Sequence, residues 1–254
     1  MTICILFAPV GIYTFLTQDV TYTAYFFVIG TGLIHVFYFV FLSRGYSLGN
    51  LSEVYPVSRG VGPILVPVLA YLILEESISF WAFTGIILVA FGVLVVYWSK
   101  AFVYILTKPL KSFQRADLKY ALATGITIAI YSIWDKAGVG YLPGFLYMYL
   151  QSLSTTIFFS LYLISKNNIK TLKPEWKLSV KEITLSAICL YSAYGLVLTA
   201  LEASKVSYLW PIREISILIV VLMSYLIEKE KIRTTTIVGS IVITTGVMSI
   251  SLAS

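Results

Sequence analysis

The feature that most constrains this chain is a succession of nine long apolar runs, separated by polar segments that are mostly short. A helix needs about 20 apolar residues to cross the hydrocarbon core of a bilayer, with a range of about 17 to 25. The runs are continuous rather than alternating, which favours helices over a transmembrane barrel. We therefore predict an all-α polytopic bundle of about nine transmembrane helices. The predicted spans are residues 2–17, 21–43, 53–74, 78–99, 117–135, 142–165, 181–202, 206–228 and 232–252.

Composition and charge narrow the functional classes. Only 12% of the residues are charged and 59% are hydrophobic, whereas a soluble domain carries about 25% charged residues. The net charge of +6 comes from short basic clusters between apolar runs, where anionic lipid head groups attract them. We therefore expect no nucleic-acid partner. Cys4 and Cys189 stand alone, so neither a metal site nor a cofactor is expected.

The distribution of lysine and arginine predicts a topology. These residues concentrate in alternate connections, above all in the two long loops at 100–116 and 166–180. Positive loops remain on the cytoplasmic side of a membrane. The count therefore places the N-terminus and both long loops in the cytoplasm, and the C-terminus outside.

An internal repeat appears when the sequence is shifted by 154 residues along itself. Arg59 then falls on Arg213, Glu76 on Glu230, and the pair Gly85 and Gly92 on Gly239 and Gly246. Equivalent spans lie an odd number of crossings apart and so cross in opposite senses, which makes the repeat inverted. Inverted repeats are typical of secondary transporters. We predict two halves, residues 1–100 with four helices and 117–254 with five, joined by a loop at 101–116.

These features resemble the EamA-type branch of the drug/metabolite transporter superfamily. The resemblance is carried by three stretches, Tyr55 to Glu76 (YPVSRGVGPILVPVLAYLILEE), Ile130 to Val139 (IYSIWDKAGV) and Pro211 to Ile232 (PIREISILIVVLMSYLIEKEKI). It implies ten helices in two inverted five-helix halves around a central cavity, and transport of small organic solutes such as amino acids, nucleosides or drugs.

This chain departs from the family pattern in three ways. The first half supplies four spans instead of five, so we expect a first helix to be missing ahead of residue 1. The second half has Ile217 where the first has Pro63. Family members also keep both termini in the cytoplasm, which disagrees with the topology predicted from the lysine count.

Two buried arginines are the first candidates for a substrate site. Arg59 and Arg213 lie about seven residues inside their predicted spans, roughly 10 Å deep, where a charge costs about 2.5 kcal/mol or more. A guanidinium can hold a carboxylate with two hydrogen bonds. The structural alternative is pairing with Glu214, Glu53 or a backbone carbonyl, or snorkelling to the interface.

For each of the remaining cavity candidates, the sequence allows a structural role as well as a functional one. Glu214 either pairs with another helix or carries a coupling proton. Five polar-tipped residues either line the cavity and stack on a planar solute or serve as packing and interfacial anchors. They are Tyr55, Trp210, Tyr131, His35 and Tyr194.

Two other groups complete the prediction. Trp134, Asp135 and Lys136 end the fifth span, where they gate the mouth of the cavity or anchor the helix at the interface. Gly85, Gly92, Gly239 and Gly246 form small-residue faces on two helices, which favours close helix packing in lipid.

The sequence therefore predicts a secondary transporter that moves a small organic solute across the cell membrane by alternating access. A membrane-embedded enzyme would need clustered acidic and histidine side chains, and His35 is the single histidine. A non-transporting or truncated subunit of such a transporter is the alternative, supported by the missing first helix. The expected partners are lipid, the solute and a coupling proton, with a homodimer left open.

Overall fold

The computed structural model describes residues 1–96, 104, 107–108, 111, 114–166, 179–223, 226 and 234–252. Within these ranges the secondary structure is helical and contains no β-strand. The helices are α1 (Thr2–Leu6), α2 (Ala8–Thr17), α3 (Tyr22–Leu48), α4 (Leu51–Gly60), α5 (Gly62–Ile73), α6 (Phe80–Val96), α7 (Ala116–Gly138), α8 (Gly144–Ser165), α9 (Val180–Ala203), α10 (Val206–Arg213), α11 (Ser216–Met223) and α12 (Thr234–Ser251).

Several helices have the length and the apolar surface of membrane-spanning elements, which confirms the predicted all-α membrane bundle. Among the described residues, α3, α9 and α12 are long and apolar enough to cross a bilayer, and α2, α6 and the segment Val57–Ile73, which contains the end of α4 and all of α5, are shorter and apolar. On α3, Phe26, Ile29, Leu33 and Phe37 expose their side chains at helical spacing. Such an apolar stripe is suited to lipid rather than to water.

Three predicted spans each consist of two helices: the span at 2–17 is divided at Phe7, between α1 and α2, and two spans related by the repeat are divided as well. The span at 53–74 is divided at Val61, between α4 and α5, and the span at 206–228 is divided at Glu214 and Ile215, between α10 and α11. In the span at 53–74, Pro63 lacks the N–H that would bond to the carbonyl of Arg59 four residues earlier. In the span at 206–228, the N–H groups of Glu214 and Ile215 bond to carbonyls only three residues earlier, a tighter turn than an α-helix makes.

The helix boundaries follow the internal repeat. Helices α5 and α11 begin at Gly62 and Ser216, and helices α6 and α12 begin at Phe80 and Thr234. Both pairs are separated by the 154 residues that align the sequence with itself. The two breaks therefore lie at equivalent positions. The acidic residue Glu230, which the resemblance pairs with Glu76, lies outside the described residues.

The repeat glycines form one close contact between α6 and α12. A Cβ at Gly85 would lie 2.5 Å from the carbonyl oxygen of Gly246, and one at Gly92 would lie 2.8 Å from that of Gly239. The pairing order is reversed along the two helices, so they run antiparallel, as an inverted repeat requires. Exchanging the repeats converts one contact into the other.

The chain divides into two compact units that are not contiguous in sequence. Unit 1 comprises Met1–Phe37 and Trp134–Ser204, and unit 2 comprises Tyr38–Ile133 and Lys205–Ser254. In unit 1, α8 packs on α9; in unit 2, α5 packs on α10 and α6 on α12. The dividing points fall within α3 and α7, so each of these helices contributes residues to both units. The division of the sequence into halves at 1–100 and 117–254 stays a prediction.

Candidate functional site

In unit 2, the break in each repeat helix carries an arginine. Arg59 lies in the last turn of α4 and Arg213 in the last turn of α10, where a positive charge is favoured by the helix dipole. Glu214, only 7% exposed, lies close enough to both guanidinium groups to interact with them electrostatically. The guanidinium carbon of Arg59 lies 6.0 Å from the ring centroid of Tyr55. We call these residues, together with Trp210, the arginine cluster.

Aromatic rings surround the arginine cluster within unit 2. The guanidinium of Arg213 lies 4.2 Å from the ring centroid of Trp210, and the ring of Tyr131 lies 6.2 Å from that of Trp210. Trp210 and Tyr131 are buried, whereas Tyr55 is partly exposed. The predicted cavity residues Arg59, Arg213, Glu214, Tyr55, Trp210 and Tyr131 thus belong to the same unit.

Trp210 presents an unused hydrogen-bond donor. Its side chain is 3% exposed, and among the described residues its indole N–H has no acceptor. Gly62, the first residue of α5, lies beside it: a Cβ there would lie 2.8 Å from the indole nitrogen. A buried donor without an acceptor costs about 1–3 kcal/mol. It is therefore a feature that an incoming acceptor group would satisfy.

The arginine cluster carries two positive charges and one negative charge, so its formal net charge is +1. An anionic oxygen group would complete the balance and accept hydrogen bonds from guanidinium and indole. The adjacent aromatic faces suit a planar or apolar portion of the same ligand. The arginine cluster therefore offers donors and positive charge beside aromatic faces.

In unit 1, a second polar cluster surrounds Asp135, whose side chain is fully buried. Its Oδ1 accepts hydrogen bonds from Thr31 Oγ1 at 2.6 Å and Tyr147 OH at 2.9 Å. Its Oδ2 accepts a hydrogen bond from Tyr194 OH at 2.6 Å. The donors come from α3, α8 and α9, so the carboxylate joins three helices to α7.

The same cluster contains the histidine. His35 Nδ1 lies 2.9 Å from the carbonyl oxygen of Thr31 and 3.2 Å from its hydroxyl. On the other side of the ring, His35 Nε2 lies 2.8 Å from Gln151 Nε2. We call Thr31, His35, Asp135, Tyr147, Gln151 and Tyr194 the aspartate cluster.

The three predicted gate residues occupy different positions. Asp135 lies in the buried aspartate cluster rather than at an exposed helix end. Trp134 Nε1 donates to the carbonyl of Phe27 at 2.8 Å, and Lys136 Nζ donates to the carbonyls of Leu201 at 2.6 Å and Ser204 at 2.8 Å. Trp134 therefore fixes α3 against α7, and Lys136 caps the end of α9. A gating role for the three residues stays a prediction.

Sequence reasoning missed three members of the aspartate cluster, Thr31, Tyr147 and Gln151. A signal for them was present. Thr31 and His35 are four residues apart on α3, and Tyr147 and Gln151 are four residues apart on α8. Polar pairs at this spacing share one helix face, and in an apolar helix such a face points to protein rather than to lipid.

Glu76 has a role that the sequence did not reveal. Helix α5 ends at Ile73, and Glu75 then adopts a left-handed conformation with φ of 53°. This turn brings the buried carboxylate of Glu76 to the start of α10, where it accepts hydrogen bonds from the backbone N–H groups of Val206 at 2.9 Å and Ser207 at 3.0 Å. The carboxylate thereby caps the helix that carries Trp210 and Arg213.

Comparison with known proteins agrees with this architecture. Residues 118–252 match the EamA-like transporter family, which is more than half of the chain. A crystal structure titled only "Crystal structure of protein" matches with a TM-score of 0.68 and 15% identity, covering 100% of this chain and 87% of that chain. This similarity supports the fold alone. No curated protein matches at a significant level.

The class defined by these findings is that of the polytopic membrane transporters. The chain belongs to the EamA-like transporter family, within the drug/metabolite transporter superfamily.

Proposed function

We propose that this protein is a secondary transporter of the cell membrane that carries a small organic anion, with a carboxylate-like group beside a planar or apolar portion, by alternating access. The observation that carries the proposal is the placement of Arg59 and Arg213 at equivalent helix breaks, around one buried glutamate. Interrupted helices at equivalent positions of two inverted repeats mark the binding region in many transporters.

The residues of the arginine cluster contribute to solute recognition in different ways. The two guanidinium groups supply charge and paired donors, and the Trp210 indole supplies one further donor. Glu214 limits the net charge of the empty cluster to +1, which lowers the cost of keeping two arginines in a membrane. The solute anion would then neutralise the remaining charge, so that the loaded cluster is close to neutral.

In this proposal, the inverted repeat accounts for alternating access to the two sides of the membrane. Because α4–α5 and α10–α11 are equivalent, each arginine belongs to a similar half-site that faces the opposite side of the membrane. Two similar halves give inward-open and outward-open states of nearly equal energy. In this proposal each arginine engages the solute when its own side opens.

The test uses purified protein in proteoliposomes and three probes that share one ring. Phenylacetate has a carboxylate, L-phenylalanine has a carboxylate and an ammonium group, and 2-phenylethylamine has only the ammonium group. We expect exchange of external labelled probe for internal unlabelled probe with the carboxylate-bearing compounds and not with the amine. Equal exchange of the amine, or no exchange of any probe, would contradict the proposal.

Arginine variants test the site itself. Arg59→Lys and Arg213→Lys keep the charge but lose the planar donor pair, so each should lose most of the exchange while inserting normally. Arg44→Lys is the matched control because Arg44 is exposed near the end of α3. If Arg59→Met and Arg213→Met both exchange the probes as the parent does, the arginine cluster is not the site.

A further inference from the structure

We propose that the aspartate cluster of unit 1 is the binding site of the coupling proton, which is held at His35 beside the carboxylate of Asp135. The proposal rests on the transporter function proposed above and adds its energy source. It places the coupling ion on residues distinct from the arginine cluster. The hydrogen bonds and the charges of the cluster lead to it.

The hydrogen bonds around His35 fit its neutral form, in which one ring nitrogen carries a proton and the other accepts a hydrogen bond. A carbonyl oxygen only accepts, so the contact of His35 Nδ1 with the Thr31 carbonyl requires a proton on Nδ1. The neutral ring then has its lone pair on Nε2, where it accepts a hydrogen bond from the Gln151 amide at 2.8 Å. The Thr31 hydroxyl donates its own hydrogen to Asp135.

Gln151 can also form a hydrogen bond with the protonated form of His35. Its side chain is 4% exposed, and among the described residues its Oε1 has no hydrogen-bond partner. A half-turn of the amide would place this oxygen opposite His35 Nε2, where it would accept a hydrogen bond from a protonated imidazolium. The same glutamine can therefore bind both the neutral and the charged histidine.

The charge of the cluster changes when the proton binds. Within the described part of the chain, no lysine or arginine forms an ion pair with Asp135. The adjacent Lys136 donates hydrogen bonds to the backbone carbonyls of Leu201 and Ser204. With Asp135 ionised and His35 neutral, the empty cluster carries a formal charge of −1, and protonation of His35 makes it a neutral aspartate–imidazolium pair. A net charge buried in a membrane is costly, so proton binding favours any movement that keeps the site away from water.

The other groups around the carboxylate do not supply this charge. Tyr147 on α8 and Tyr194 on α9 face Asp135 as hydroxyl donors, and phenols titrate far above physiological pH. Among the described residues that face Asp135, His35 on α3 is the one whose side-chain type, an imidazole, ordinarily titrates near neutrality. It lies close enough to the carboxylate for direct electrostatic interaction.

The transfer itself balances without any covalent change in the solute. A proton from water on the side to which the site is open binds to the Nε2 lone pair, and Gln151 reorients. After the conformational change, the proton leaves Nε2 for water on the other side. One proton is taken up and one is released in each cycle.

Transport measurements separate coupling from translocation. In proteoliposomes, Asp135→Asn and His35→Gln should lose accumulation of L-phenylalanine driven by a pH gradient of either direction, while exchange of internal for external L-phenylalanine persists. Asp19→Asn is the matched control, since Asp19 is exposed between α2 and α3, and it should keep both activities. Unchanged gradient-driven accumulation in Asp135→Asn and His35→Gln would overturn the proposal, as would accumulation that follows a sodium gradient instead.

A second measurement does not depend on any solute. Infrared difference spectra of the reconstituted protein, recorded over about pH 4 to 9 where carboxyl and imidazole groups titrate, should contain a histidine signal that His35→Gln abolishes and Asp135→Asn shifts. If this signal is present but no probe is exchanged, the proton site stands and the proposed transport function fails. If it is absent from the parent protein, or unchanged in Asp135→Asn, the proton site is wrong.

Discussion

The arginine cluster of unit 2 and the aspartate cluster of unit 1 differ in the kind of group that each leaves without a partner among the described residues, a donor at Trp210 and an acceptor at Gln151 Oε1. Asp135 accepts hydrogen bonds from three hydroxyl groups of its own protein. The arginine cluster carries an excess positive charge, and Trp210 keeps an unused donor within the described residues. A carboxylate so fully bonded is suited to a small, internal change such as protonation. A cluster with spare charge and a spare donor is suited to a ligand that brings an anion.

We expect the largest effect from disrupting the contact between α6 and α12 in unit 2, the unit that contains the arginine cluster. Gly92→Leu would push a side chain into the backbone of α12, where even a Cβ lies 2.8 Å from the Gly239 carbonyl oxygen. Overpacking typically costs about 1–3 kcal/mol, and two backbones in contact relax poorly, so we expect a loss of about 3 kcal/mol or more. Thermal unfolding and membrane accumulation measure it.

The control for this variant lies in unit 1. A Cβ at Gly140 would meet only the Ala137 carbonyl oxygen, at 3.4 Å. Gly140→Ala should therefore accumulate and unfold as the parent does. Normal accumulation of Gly92→Leu would show that the α6–α12 contact does not hold unit 2 together.

The next effect compares removal of a charge from each cluster. Asp135→Leu removes the acceptor of three hydroxyl groups, of which those of Thr31 and Tyr147 belong to buried residues. Interhelical hydrogen bonds in membranes contribute about 0.6 to 1.7 kcal/mol each, so we expect a loss of about 2 kcal/mol or more. Arg59→Met should cost less, because Glu214 retains Arg213 as a charged neighbour. Equal melting temperatures for the two variants would remove the distinction between the clusters.

We expect a smaller effect when one hydrogen-bond donor is removed from each cluster. Tyr147→Phe deletes the hydroxyl that donates to Asp135 at 2.9 Å, and we expect it to cost about 1 kcal/mol. Replacing the indole of Trp210 by benzothiophene keeps the ring shape and removes only the N–H. This change should leave the melting temperature unaltered and weaken probe exchange. A lower melting temperature for the Trp210 analogue would mean that its N–H has an acceptor in the folded protein.

The smallest effect compares two helix caps. Glu76 in unit 2 is buried and bonds to two backbone N–H groups of α10, whereas Glu202 in unit 1 is exposed and bonds to the N–H of Gly144. Glu76→Gln should cost about 0.5 to 1 kcal/mol through loss of charge at a helix N-terminus. Glu202→Gln should be indistinguishable from the parent in the same unfolding measurement, and a larger effect at Glu202 would reverse the ranking.

The repeat illustrates what the sequence could and could not predict. The spacing of Arg59 from Arg213 predicted that two helices are equivalent, because matching an arginine, a glutamate and two glycines requires no knowledge of the fold. It did not predict that both spans are interrupted beside these arginines. Pro63 accounts for one break, but the second half has Ile217 at that position, so its break depends on local turn geometry.

The class of protein was determined by the sequence itself, because long continuous apolar runs are typical of membrane-spanning helices and eight of the nine runs have at least 17 residues. The candidate cavity residues were also recognisable, since a charged or polar group in such a run is costly without a purpose. Only the tertiary structure assigned them to two clusters. His35 and Tyr194 were candidates for the same cavity as the arginines, with helix packing as the alternative, and they lie with Asp135, from which they are 100 and 59 residues away along the chain. Asp135 itself appeared to end a helix at the interface. Its burial depends on hydroxyl groups from three other helices, and no local pattern encodes which distant helices will meet.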